Sequence, residues 1–168
     1  MKVDAALENS VHHNINKIEI VGFNLDATKN FDKIIEFVKE STIVFNMIDV
    51  GDYWDLAMQS VCLKLKKPMI LGGTFSGSLS IDMYQAGGQP CYLCLTDGLK
   101  EDVVQLLHPD KILDLKDISF VPRNSNPVGQ SNVYLASICS NFMVSLFVNH
   151  VFEEEMTAGI KRFFHRNL

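Results

Sequence analysis

The chain has 168 residues, of which 47% are apolar and 21% are charged, and its formal net charge is −5. This size and apolar content predict a single domain over residues 1–168 with a buried core, and exclude a disordered chain. The acidic balance, without a basic stripe, excludes nucleic acid as an expected partner. Because the first residues contain no apolar signal region, we expect a cytoplasmic protein whose four cysteines include no secretory disulfide framework.

Helical patterns begin at the N-terminus. Residues 2–13 predict a first helix, and residues 30–41 predict a second one. The second helix has one apolar face, formed by residues at i, i+3, i+4 and i+7: Phe31, Ile34, Ile35 and Val38. Residues 52–67 predict a third, amphipathic helix that ends before Pro68, since proline interrupts helical hydrogen bonding.

Strand patterns lie between these helices. Residues 17–23 alternate and are β-branched, which predicts a strand. The apolar run 42–49 contains one polar residue before its end and predicts a strand buried on both faces. In that strand, we expect Ile43, Phe45 and Met47 on one face and Val44, Asn46 and Ile48 on the other. Residues 68–75 and 78–84 predict two further short strands.

The second half of the chain has weaker patterns. Residues 97–110 predict a helix, and a loop with one short extended piece follows it. A long apolar helix is expected at about 130–150, interrupted by serine and asparagine residues. Because it falls short of about 18 uninterrupted apolar residues, we expect a buried core helix and no membrane partner. The last segment, from residue 153, begins with three glutamates and predicts another helix.

The order of these elements predicts the fold. Alternating strands and helices favour an α/β fold with a mainly parallel sheet flanked by helices and an antiparallel extension at 78–84. A doubly wound sheet usually opens with a glycine-rich turn that holds phosphate, and this sequence contains no such turn. Residues 71–75 contain two glycines, but a predicted strand follows them. They therefore cannot be the phosphate-binding turn, which leads into a helix. We therefore expect an incomplete Rossmann-like sheet.

Six segments, taken in order, resemble a known family. They are "KVDAA", "HHNINKIEIVGFN", "IVFNMID", "SVCLKLKKPMILGGT", "GGQPCYLCL" and "NPVGQSNVYLASICSNFMVSL". Over roughly residues 2–150, they are similar to the C-terminal two-thirds of the ubiquitin-activating-enzyme-like adenylation domain. That family includes the adenylyltransferases of the thiamine and molybdopterin sulfur carriers and the activating enzymes of ubiquitin-like modifiers.

The resemblance implies an activity and a set of functional residues. Family members join the C-terminal carboxylate of a ubiquitin or ubiquitin-like protein to AMP, with Mg²⁺ and ATP as cofactors. Lys2 matches the family lysine that offsets charge at the α-phosphate, and Asp49 matches the aspartate that holds Mg²⁺. Counting back from Cys62 and Pro68 without gaps places Val50 at the metal position instead of Asp49. A one-residue insertion between the strand and the third helix would reconcile the two counts, and Asp52 is then a second candidate ligand. From the residues alone, Asp49 serves equally well as the N-cap of the third helix.

The chain also departs from the family pattern. The family asparagine after the metal aspartate is missing, as are the arginine of the next helix and the glycine-rich turn. A longer protein, of which this chain keeps the lysine-onward part, would explain these losses, and so would a degenerate natural homologue. We therefore expect this chain alone to bind ATP weakly or not at all. The alternative function is a non-catalytic module that binds a ubiquitin-like protein or dimerises.

Cys91 and Cys94 resemble the first half of the family zinc site, which uses two C-x-x-C pairs. A second pair is not found in this sequence, so we expect a half-site that is either retained from a zinc-binding ancestor or completed by a further C-terminal segment. Cys62 and Cys139 stand alone on apolar helices and are expected in the core, and so is Trp54. The adjacent His12 and His13 are expected to be exposed. We also expect a homo-oligomer that buries the helix at 131–147 or a sheet edge.

Overall fold

A computed structural model describes residues 2–48, 52–75, 78–85 and 133–152 of the chain. Four helices and three strands lie within these ranges: α1 (Lys2–His13), α2 (Phe31–Glu40), β1 (Val44–Asn46), α3 (Asp52–Lys64), β2 (Met69–Phe75), β3 (Ser78–Tyr84) and α4 (Val133–Phe152). All seven were expected from the sequence, but β1 has three residues where a strand at 42–49 was expected. The helices expected at 97–110 and after 153 lie outside the described residues.

The three strands form one mixed sheet in the order β1-β2-β3. β1 and β2 are parallel and are connected through α3, with Val44 opposite Met69. β2 and β3 are antiparallel over their whole length, from Met69 opposite Tyr84 to Phe75 opposite Ser78. The α/β class and the antiparallel extension at 78–84 are therefore confirmed. Within the described ranges, the sheet contains one parallel and one antiparallel pair.

Helices cover both faces of this sheet. One face packs against α2 and α3 in a buried cluster: Phe31, Val38, Trp54, Leu56, Ala57, Met58, Val61, Cys62, Met69 and Tyr84. The other face packs against α4 in a second cluster: Ile70, Leu79, Ile81, Met83, Leu135, Cys139, Met143 and Leu146. Burial of each large apolar side chain contributes about 1.5–3 kcal/mol, so these two clusters supply most of the favourable packing among the described residues. The expected core positions of Trp54, Cys62 and Cys139 are confirmed.

The side chains of β1 alternate between the two clusters as expected. Ile43 packs with the α4 cluster, and the Phe45 ring lies 5.7 Å from the Phe147 ring. Val44 packs with the α2–α3 cluster, and Asn46 is bonded to residues of α3. The expectation that this strand is buried on both faces is wrong, because Phe45 is 37% exposed. β1 lies at the edge of the described sheet, where only one neighbouring strand shields it.

The segment 17–24 is not the strand that its alternation predicts. It has no regular secondary structure, and Ile18, Ile20 and Val21 are exposed. Its contacts are with helices: the Phe23 ring lies 4.5 Å from the Phe37 ring of α2, and Gly22 lies against α1. A strand forms only where a second strand offers hydrogen bonds, and within the described ranges none runs beside this segment.

α4 is buried on one face only. Its side chains Leu135, Cys139, Met143 and Leu146 pack on the sheet, whereas Tyr134 and Phe152 are more than three-quarters exposed, at 77% and 78%. Within the described ranges, this helix alone is long and apolar enough to cross a membrane, judged by length and composition. The expectation of a fully buried core helix is therefore wrong for the side that faces away from the sheet.

Candidate functional site

The carboxyl end of β1 carries the loop that the sequence singles out. β1 ends at Asn46, and α3 begins at Asp52 before the chain returns in parallel as β2. In parallel α/β sheets, the loops that follow the carboxyl ends of strands form the usual ligand-binding edge. Asp49 lies outside the described residues, and Asp52 is described only as the first residue of α3. In the sequence, both aspartates follow the carboxyl end of β1.

Asn46 is the buried polar centre of the site. Its side chain is 3% exposed, in a strand otherwise made of apolar residues. The Trp54 indole Nε1 donates to Asn46 Oδ1 at 2.8 Å, and Asn46 Nδ2 donates to Asp55 Oδ1, also at 2.8 Å. Because an indole N–H can only donate, the amide oxygen must face Trp54 and the amide nitrogen must face Asp55. This orientation joins the end of β1 to the first turn of α3.

These two hydrogen bonds hold both ends of the intervening loop. A buried amide without partners costs about 1–3 kcal/mol, so the bonded arrangement is strongly preferred over one in which Asn46 turns away. The end of β1 and the first turn of α3 are consequently held together by Asn46, Trp54 and Asp55. Sequence reasoning did not select Asn46 or Asp55. The one available signal was a single amide inside an apolar strand.

A groove of about 280 Å³ runs beside β1 on the side of α2 and α3. Its lining residues are Ile34, Phe37, Val38, Ser41, Ile43, Val44, Phe45, Asn46, Ile48, Trp54 and Met58. None of them is charged, and the polar members are one serine, one asparagine and the indole of the tryptophan. The groove therefore suits apolar side chains and offers no cation to a phosphate group.

Lys2 is exposed at the start of α1, a helix that has no buried residue. Within the described ranges, the Lys2 side chain makes no hydrogen bond or ion pair, so no such contact connects its ammonium group with Asn46, Trp54 or Asp55. Its expected role at a phosphate therefore stays a prediction. His12 and His13 are exposed at the other end of α1, as expected.

The thiols of the described residues are poor metal ligands. Burial raises the pKa of the Cys62 thiol to about 12, and burial also raises the pKa of Cys139. A thiol with a raised pKa stays protonated near neutral pH, whereas metals bind the thiolate. Both cysteines are free and buried. Cys91 and Cys94 lie outside the described residues, so the expected half zinc site stays a prediction.

Within the part of the chain that the structure describes, no group of three or more histidine, cysteine, aspartate or glutamate side chains is placed to hold a metal ion. Asp49 would have to act together with Asp52 or with groups beyond those ranges. Carboxylate oxygens are the ligand type that Mg²⁺ prefers, so the two aspartates fit this ion by donor chemistry.

Comparison with protein-family models finds no matching family, and comparison with curated proteins finds no similar sequence.

Proposed function

We propose that this chain is part of an activating-enzyme-like adenylation domain built on an incomplete Rossmann-like sheet. Its reaction would be adenylation of the C-terminal carboxylate of a ubiquitin or ubiquitin-like protein. The observation that supports this proposal most is the parallel β1–α3–β2 unit, whose connecting loop contains Asp49 and leads to Asp52. In a Rossmann-like sheet, the loop between a strand and the following helix lies at the ligand-binding edge, so an aspartate in this loop would lie there too.

The position of β1 at the edge of the described sheet also supports this proposal. In the usual doubly wound order 3-2-1-4-5, the third strand in the chain is separated from the fourth by two others. If residues 17–23 correspond to the third strand and β1 to the fourth, the two strands between them are not among the described elements. This accounts for an alternating segment without a strand partner and for an apolar groove beside β1.

The proposed chemistry requires Mg²⁺ and ATP. When bound, Mg-ATP supplies an α-phosphorus that the carboxylate attacks, with pyrophosphate as the leaving group. Asp49 or Asp52 would hold the metal ion, and the Lys2 ammonium would offset negative charge at the phosphate. The Asn46–Trp54–Asp55 hydrogen bonds would keep the metal-binding loop in one position at the sheet edge. A glycine-rich turn at a helix N-terminus commonly binds phosphate, and the described residues contain none. We therefore propose no residues for binding ATP beyond Lys2, Asp49 and Asp52.

Pyrophosphate exchange tests the proposal. The 168-residue chain and the longest available form of the protein are each incubated with ATP, labelled pyrophosphate and a panel of ubiquitin-like proteins. We expect exchange with one panel member in the longest form and none with the short chain. Exchange must disappear when the C-terminal carboxylate of that modifier is blocked as an amide, because this carboxylate is the nucleophile. Failure of the longest form with every panel member would contradict the enzymatic assignment.

The second candidate function is a binding module without adenylation chemistry. It is favoured by two apolar, uncharged surfaces: the groove beside β1 and the outer side of α4. Such a module would bind a ubiquitin-like protein, or a second copy of the chain, without ATP. Calorimetric titration separates the two functions, since a module binds its modifier equally well with and without Mg-ATP. With either candidate, a cytoplasmic location, a homo-oligomer and half of a zinc site at Cys91 and Cys94 stay predictions from the sequence.

A further inference from the structure

Three lysines lie close together where α3 ends and the chain turns toward β2. We call residues 64–67 the lysine loop, and its lysines are Lys64, Lys66 and Lys67. Lys64 and Lys66 are exposed, and residues 61–68 contain no acidic residue. Because β2 begins at Met69, the lysine loop lies at the amino edge of the parallel strands. This is the edge opposite the one at which the chain leaves β1.

Lys66 has a backbone conformation that lysine rarely adopts. Its φ is 55°, in the left-handed region, where glycine is preferred because it has no Cβ atom. The Lys67 N–H donates to the Cys62 carbonyl at 2.8 Å and the Lys66 N–H donates to the Leu63 carbonyl at 3.2 Å, a helix ending that usually contains glycine. Lys64, in the last turn, already offsets the dipole of α3. The strained lysine therefore indicates a contact beyond α3 itself.

The carboxyl end of α4 lies at the same edge of the sheet. Gln85 directly follows Tyr84, the last residue of β3, and Tyr84 pairs with Met69 at the start of β2. Gln85 Nε2 and His150 Nδ1 lie 2.8 Å apart, and His150 is in the last turn of α4. The chain that leaves α4 therefore starts from the edge at which the lysine loop enters β2.

An acidic run follows α4 directly in the sequence. It consists of the three glutamates at 153–155, which lie outside the described residues. The carboxyl end of a helix carries partial negative charge, so it repels carboxylates beside it unless a cation is near. The sole basic residue of α4 is His150, whereas the lysine loop supplies three ammonium groups at the same edge. We propose that the lysine loop binds the acidic run 153–155 of the same chain; this inference does not depend on the adenylation activity.

The chain is long enough for this contact. An extended chain spans about 3.5 Å per residue, so the glutamates can lie up to roughly 10–18 Å from His150. Adjacent strands are about 4.8 Å apart, and Pro68 and Gln85 directly adjoin the paired residues Met69 and Tyr84. The lysine loop therefore lies within reach of the acidic run. Since α3 and α4 pack on opposite faces of the sheet, the contact would join the two helical layers across its amino edge.

Carbodiimide coupling tests the proposal, because it joins a carboxylate to an amine only where the two are in contact. An equal mixture of isotope-labelled and unlabelled 168-residue chain is coupled at low ionic strength, and cross-linked peptides are identified by mass spectrometry. We expect residues 153–155 to couple with Lys66 or Lys67 at least about fivefold more than with Lys17. These products should join residues of one chain, and their yield should fall at about 1 M sodium chloride, where the screening length is about 3 Å.

The ion pair between Lys29 and Asp26, at 3.4 Å, is the positive control for coupling. Three results would overturn the proposal while this control couples. The first is no product between the lysine loop and residues 153–155. The second is equal coupling of these glutamates to lysines throughout the chain. The third is a product that joins labelled to unlabelled chains, because the contact would then lie between two copies.

Two lysines in the same backbone conformation provide matched variants. Lys17, after α1, has a φ of 52°, so Lys17→Gly should raise the thermal unfolding temperature by about 2–4 °C through relief of strain. Lys66→Gly relieves the same strain but removes one ammonium group of the lysine loop, so at low salt we expect a smaller rise. The difference between the variants should disappear at about 1 M salt and in a background with Glu153→Gln, Glu154→Gln and Glu155→Gln. Equal rises in the wild-type background at low salt, or a difference that persists with the three glutamines, would overturn the proposal.

Discussion

The Trp54 indole nitrogen donates a hydrogen bond of 2.8 Å to the Asn46 side-chain oxygen inside the core, eight residues earlier in the chain. Both residues are almost fully buried. The bond crosses the loop that contains Asp49, so it joins the edge of the sheet to the helix that follows. A polar contact at this place affects the stability of the fold and also the position of the loop.

The first prediction concerns the contribution of this bond to stability. Asn46→Leu keeps the approximate volume but leaves the Trp54 N–H without its acceptor, so we expect a loss of about 2–3 kcal/mol in the free energy of unfolding. Trp54→Phe removes the donor and tests the same bond from the other side. Trp54 is the single tryptophan of the chain, so Trp54→Phe also removes the fluorescence signal. Urea unfolding is therefore followed by far-UV circular dichroism.

The double variant separates the hydrogen bond from simple packing. If the bond matters, Asn46→Leu should lower the free energy of unfolding by roughly 1 kcal/mol less in the Trp54→Phe background than in the wild type. In that background, no indole N–H is left unpaired. Equal costs in both backgrounds would show that Asn46 contributes through packing or through Asp55 alone.

The second prediction concerns the close approach of β2 and α4. A side-chain carbon added at Gly72 would contact the sulfur of Met143 and lie 3.1 Å from the sulfur of Cys139. Gly72→Ala should therefore lower the free energy of unfolding by about 1–3 kcal/mol, since Met143 must move within a packed core. Measured in a Met143→Leu background, the same change should cost less. If its cost there is undiminished, the contact with Met143 is not the cause.

Local patterns predicted the helices well, because their periodicity depends on residues close in the chain. The apolar spacing of Phe31, Ile34 and Val38 was sufficient to place α2. The alternation at 17–23 was misleading, because a strand also needs a neighbour that sequence periodicity does not supply. The burial of α4 was overestimated for a related reason. An apolar composition indicates that a helix needs apolar contacts, but it does not show which side of the helix packs against the rest of the chain.

The candidate site was predictable only in outline. The apolar run that ends at Asp49 identified the loop after β1, because such runs predict buried strands. The partners of Asn46 were not predictable, since they lie eight and nine residues away and meet it only after the chain turns into α3. No regular repeat relates an amide in a strand to an indole in the following helix.

The third prediction concerns alkaline pH. Burial raises the pKa of Cys62 from its usual 9.0 to about 12, so the folded chain holds this proton more tightly than the unfolded chain does. The resulting stability is fully present below the unfolded pKa and is lost as the pH rises through the folded one. Between about pH 9 and pH 11, the free energy of unfolding should fall by up to about 1.4 kcal/mol per pH unit for this one group.

Cys62→Ala provides the comparison for that pH dependence. This variant is less stable at neutral pH because it leaves a small cavity, but the Cys62 contribution to its alkaline slope is gone. The difference between the two unfolding curves removes the effects of other groups that titrate in the same range. Parallel curves for the wild type and Cys62→Ala would show that the thiol is not held protonated by the fold.

The fourth prediction concerns the two aspartates of the loop after β1. Asparagine still caps a helix, so Asp49→Asn and Asp52→Asn should change the thermal unfolding temperature very little. If Asp49 holds Mg²⁺, Asp49→Asn should lower pyrophosphate exchange by orders of magnitude in the longest active form, because a negative ligand of the metal is lost. Glu36→Gln removes one charge from an exposed position on α2 and serves as the control for net charge.

Loss of exchange in Asp52→Asn with full activity in Asp49→Asn would assign the metal to the start of α3 instead. Full activity in both variants would show that this loop holds no metal ion.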